Sequence, residues 1–168
     1  MGNNFLLGLL RFAGLVLLQV LIFSRMNLFG QVNPMVYILF LYWYPIRENR
    51  SALLGIAFLL GFAVDLFSDT LAMHTVATLT TAFVRPALMR FVFGVNLEFQ
   101  NFRLNNSTRV QQTTFLALLI LVHHLVFFGL EIFSLTNLLL LLNRVLLTGL
   151  GTFVFALLLS FLFSRHRE

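Results

Sequence analysis

The run SALLGIAFLLGFAVDL, residues 51–66, decides the fold: it is uncharged until Asp65 and apolar almost throughout. As a helix rising 1.5 Å per residue it covers about 24 Å, somewhat short of the ~30 Å hydrocarbon core of a bilayer. Similar runs stand on both sides of it. Across 168 residues, 60% are hydrophobic, 10% are charged and the mean hydropathy is +0.94, far outside soluble averages. No water-soluble core of this size could hide that much apolar surface, so the solvent is the bilayer.

Working outward, the sequence predicts an all-α membrane protein: a single integral domain, 1–168, with six transmembrane helices at about 5–23, 34–46, 51–66, 73–93, 113–133 and 138–163. The first segment has no basic region before it and no small-residue cleavage site, so it is read as a retained helix. Asn33-Pro34 suits a helix start, with Asn as N-cap and Pro in the first turn. The second and third segments are short, roughly 20 to 25 Å, and need local thinning of the bilayer or burial against neighbours. The polar run NFRLNNSTRVQQ, 101–112, is expected outside the membrane.

All eleven basic residues are arginines, and they sit mostly between spans. With the N-terminus inside, Arg47, Arg50, Arg90, Arg103, Arg109, Arg165 and Arg167 gather on the inner face, against Arg25 outside. That bias places both termini in the cytoplasm of an inner-membrane protein. Nucleic acid is not an expected partner, because topology already accounts for the positive charge.

A charge near the bilayer centre costs at least about 2.5 kcal/mol on insertion scales, so each one needs a partner, a wet cavity or a route to the interface. Asp65 ends the third span and Glu131 the fifth, on the same side. Arg144 lies about 9 Å into the sixth from that side, so its depth permits pairing with Asp65 or Glu131. Arg85 is expected to snorkel toward the cytoplasm beside Arg90. A structural ion pair is favoured over a ligand site for this outer cluster. Tyr37, Tyr42, Trp43 and Tyr44 read as an interfacial aromatic belt. Ala57 with Gly61, and Thr148, Thr152 and Ala156, are spaced for close helix contact, although small residues are common in any membrane helix.

No catalytic apparatus is legible, and no cofactor or metal is expected. Cysteine is absent, ruling out thiolate chemistry. His123 and His124 are neighbours, so on a helix they point about 100° apart and do not face one metal. Phosphate-binding loops, nucleophile elbows and dinucleotide fingerprints are all missing.

The central third resembles the rod-shape-determining MreD family. The resemblance rests on Asn33-Pro34, on Tyr42-Trp43-Tyr44 followed by Pro45-Ile46-Arg47, and on Gly61, Asp65, Leu66, Ser68 and Leu71 in the pattern G-x-x-x-D-L-x-S-x-x-L-G. Ala72 stands where the family's last glycine usually falls. The resemblance implies a fold similar to the substrate-binding subunits of energy-coupling transporters. It also implies a scaffold role beside an MreC-like bitopic protein, an MreB-like filament, and a membrane glycosyltransferase with its penicillin-binding transpeptidase. Asp65, Arg144, Glu131, Gly61, Pro34 and Trp43 are the candidate structural or partner-binding residues. A vitamin-type uptake subunit has comparable length and hydropathy and is the alternative; it should show a polar outer pocket built from residues such as Asp65, His74, Glu131 and Arg144.

Overall fold

The computed structural model describes residues 2–28, 32–45, 49–94, 104–132 and 138–164. Among these residues six α-helices follow in order: α1 (Gly2–Leu21), α2 (Leu39–Trp43), α3 (Arg50–Ser68), α4 (Met73–Phe93), α5 (Arg109–Ile132) and α6 (Leu138–Ser164). Five of them, all but α2, are long and apolar enough to cross a membrane. Arg47, Arg103, Arg165 and Arg167 lie outside the described residues.

Local signals explain where the helices start and stop. The Asn49 side chain accepts from the Ser51 N–H at 2.9 Å and caps α3. At α5, Gln111 N–H donates to Thr108 Oγ1 while Thr108 N–H donates to Gln111 Oε1, both at 3.2 Å, a reciprocal capping box. It starts α5 four residues before the predicted Thr113. Gly94, with φ of 73°, closes α4 by donating its N–H to the Arg90 carbonyl.

Consecutive long helices pack side by side, α3 on α4, α4 on α5 and α5 on α6, while α1 lies against α3. The second segment fills the middle. This corrects the sequence expectation: 34–46 is not a membrane-length helix begun by Asn33 and Pro34. A 3₁₀ turn, Val36–Ile38, leads into the five-residue α2, and Asn33, Pro34 and Met35 are not helical. The physical reason is that side chains from other helices satisfy its backbone. Gln19 of α1 donates to the Pro34 carbonyl (3.1 Å) and accepts from Val36 N–H (2.9 Å), and Thr152 of α6 accepts from Met35 N–H (2.9 Å). Irregular backbone is tolerated at membrane depth when protein buries and satisfies it. Val36, Tyr37, Ile38, Leu39 and Leu41 are accordingly fully buried.

The tyrosines also depart from expectation. Tyr37, Tyr42 and Tyr44 are core residues, not a headgroup belt, and Trp43 is half-buried between Arg11, 5.7 Å from its ring centre, and the Phe163 ring. Both small-residue rows lie inside the bundle: Ala57, Gly61, Thr148, Thr152 and Ala156 are all buried.

Candidate functional site

Helix α4 begins with a problem of its own. The first N–H groups of any helix lack intrahelical acceptors, and Ala72, in the N-cap position, has no side chain to supply one. Asp65 of α3 supplies it instead. One carboxylate oxygen accepts from His74 N–H (3.0 Å) and the Thr70 hydroxyl (2.5 Å); the other accepts from Thr75 N–H (2.7 Å) and the Thr75 hydroxyl (2.5 Å). Four donors and the positive end of the helix dipole thus offset the burial of an anion that is 6% exposed.

Gly61 lies one turn before Asp65 on the same face of α3. A Cβ there would sit 2.5 Å from Thr75 Cα, 2.7 Å from the His74 carbonyl oxygen and 2.8 Å from Thr75 N. Hydrogen at this position is what lets α4 start close enough to reach Asp65. The intervening turn needs two left-handed residues, Asp69 (φ 53°) and Ala72 (φ 58°). Asp adopts that conformation comparatively readily; alanine does so at a cost of about 1–2 kcal/mol. Ala72→Gly is therefore expected to raise stability by about 0.5–1 kcal/mol, the strain relieved less the added chain entropy of glycine. Thermal unfolding in detergent checks this, and a lower midpoint would show that the turn is not strained.

Of the two carboxylates that depth permits Arg144 to pair with, it meets Glu131 and not Asp65. Arg144 meets Glu131 at 3.7 Å, and both side chains are about two-fifths exposed, at 41 and 38%. The pair is long, lies on the outside of the bundle and is away from the turn.

Arg85 does not snorkel either. It is 4% exposed and donates to the Tyr44 carbonyl at 2.5 Å, with its guanidinium carbon 6.0 Å from the Tyr44 ring centre and 5.8 Å from that of Phe115. The carbonyl at the end of α2, where Tyr44 turns extended, and two aromatic faces hold the cation inside the bundle.

At the heart of the bundle Tyr37 joins two histidines. Its hydroxyl lies 2.9 Å from His74 Nδ1 and 2.7 Å from His123 Nε2. A phenol has one hydrogen to give, so one imidazole receives it and the other donates an N–H to the oxygen. The tautomers of His74 and His123 are thereby tied together. His124 turns elsewhere, with Nδ1 2.9 Å from the Ile120 carbonyl and Nε2 3.1 Å from Thr152 Oγ1. The adjacent histidines thus have separate partners.

Between α1, the turn after it, α3 and the start of α4 lies a cavity of about 300 Å³ at the Asp65 end of the bundle. Ser24, Arg25, Asn33, Ser68, Thr70 and His74 line it, with Gln19 beside them. Of the residues expected in an outer pocket, His74 is there; Glu131 and Arg144 are not among those lining it, and Asp65 is engaged with α4. Sequence reasoning missed Gln19 and Tyr37 as organising groups. A signal existed for Gln19, a single amide in an otherwise apolar stretch of α1.

Comparison with known proteins returned nothing that matches: no family model, no curated protein and no solved structure.

Proposed function

We propose that this chain is a non-enzymatic scaffold subunit of the bacterial cell-elongation machinery, similar to the MreD family. In this reading it spans the inner membrane with both termini in the cytoplasm. It positions an MreC-like bitopic protein, an MreB-like filament, and a glycosyltransferase with its transpeptidase. One observation carries the reading. The residues of the family-like signature are those that build the α3–α4 joint: Gly61 lets the helices approach, Asp65 caps α4, and Ala72 occupies the left-handed position where the family usually has glycine. A rigid joint of this kind sets the angle of two helices whose outer faces carry exposed apolar side chains such as Phe58, Phe62, Phe83 and Phe91. Such faces suit contact with other membrane helices as well as lipid.

The cavity at the Asp65 end favours a second reading, a small-molecule uptake subunit, because its volume reaches the low end of ligand pockets and its lining mixes apolar side chains, Val20, Met35 and Phe67, with several polar groups. Affinity purification of the tagged chain from solubilised membranes, followed by mass spectrometry, separates the two. The scaffold reading expects an MreC-like protein and cell-wall synthases. Recovery of an ATPase pair with a coupling membrane subunit would replace it with uptake.

A further inference from the structure

The cavity at the Asp65 end is a built environment, and what its lining groups have left to offer defines a ligand. Gln19 is engaged with Pro34 and Val36, and the Thr70 hydroxyl donates to Asp65. Asp65 already accepts from four donors. Other groups retain capacity. Arg25 at the mouth has no ion pair among the described residues. Ser24 accepts from Gln19 Nε2 and shares a contact with Ser68, both long at 3.4 Å, so the two hydroxyls can turn to a guest. His74 bonds Tyr37 through Nδ1 and lines the cavity, leaving Nε2 for a guest. These groups are a cation, hydroxyls and an imidazole, and no carboxylate with free acceptor capacity lines the space.

We propose that this cavity binds a phosphate group, with Arg25 supplying the charge and Ser24, Ser68 and His74 Nε2 supplying hydrogen bonds. Planar guanidinium and hydroxyl donors suit phosphate oxygens. The apolar rim bears on the source of the phosphate: Leu66, Phe67 and Leu71 stand 67, 65 and 95% exposed beside the cavity's end of α3, so a lipid headgroup can enter with its chains against them. Free phosphate presents the same chemistry without the chains. The inference is independent of the scaffold reading, since partner recovery does not depend on cavity occupancy.

The test is thermal unfolding of the purified full chain in detergent, titrated separately with sodium phosphate, dihexanoyl phosphatidylglycerol and, as an ionic-strength control, sodium chloride. The midpoint is expected to rise with phosphate or with the short-chain lipid but not with chloride, because a ligand that binds only the folded state stabilises it by mass action. A rise with both probes identifies the phosphate itself as sufficient; a rise with the lipid alone identifies a headgroup site that needs its chains. Arg25→Gln, which alters an exposed side chain, should weaken either response about tenfold in half-saturating concentration, the loss of one charge-assisted contact. Ser68→Ala should weaken it less. No rise with either probe, or responses unchanged in both variants, would overturn the proposal.

Discussion

Replacing Asp65 with alanine is expected to destabilise the bundle by about 3 kcal/mol, combining the loss of a helix cap with that of charge-assisted hydrogen bonds to buried donors. The substitution leaves His74 N–H and Thr75 N–H without their acceptor at the start of α4, in surroundings where water is scarce. It also frees the hydroxyls of Thr70 and Thr75. Asp65→Asn should fall between alanine and wild type, because one amide oxygen still accepts while the new NH₂ faces N–H groups. Unfolding of the detergent-purified protein measures both. An alanine variant as stable as wild type would mean that the first turn of α4 finds other partners.

Gly61→Ala has the second large effect, also about 3 kcal/mol, at the upper end of overpacking costs. The added methyl meets backbone on three sides, Thr75 Cα, the His74 carbonyl and Thr75 N, and backbone cannot rotate away as a side chain can. Relief requires moving the start of α4, which lengthens the hydrogen bonds to Asp65. The control lies on the same helix: a Cβ at Gly55 meets nothing within 4 Å, so Gly55→Ala should leave stability unchanged or slightly raised. Equal behaviour of the two variants in the unfolding assay would contradict the close α3–α4 approach.

Much of this was legible in the sequence, and the failures have specific physical causes. The spans 73–93 and 138–163 agree with α4 and α6 to within a residue because long apolar runs end abruptly at polar or turn residues. The second segment departs from its hydropathy because hydropathy reports removal from water without saying whether lipid or protein takes water's place. Its backbone bonds come from Gln19 and Thr152, neither of them near in sequence to residues 35–36. Arg85 departs from expectation for a related reason: snorkelling assumes lipid around the side chain, whereas the rings of Tyr44 and Phe115 stand beside this one.

For the site, Gly61 and Asp65 were recognisable as a motif, but depth arithmetic offered Asp65 only side-chain partners. The acceptor need of the next helix's first N–H groups does not show in a count of charges. It becomes visible once the tight 69–72 turn, with its two left-handed residues, folds α4 back over Gly61. Pro34 proved to matter through its carbonyl, which Gln19 holds, and not as a helix starter. Tyr37 reads in sequence as part of an aromatic belt, yet it holds His74 and His123 together from the core.

The central claim is that Asp65 works on α4 and not on Arg144, and a double-mutant cycle tests it most directly. Unfolding free energies would be measured for Asp65→Asn combined with Thr75→Val and, separately, with Arg144→Gln. A coupling of about 1 kcal/mol or more is expected in the first cycle and less than about 0.3 kcal/mol in the second, since residues that share neither contacts nor a hydrogen-bond network add. Strong coupling to Arg144 together with additivity toward Thr75 would contradict it.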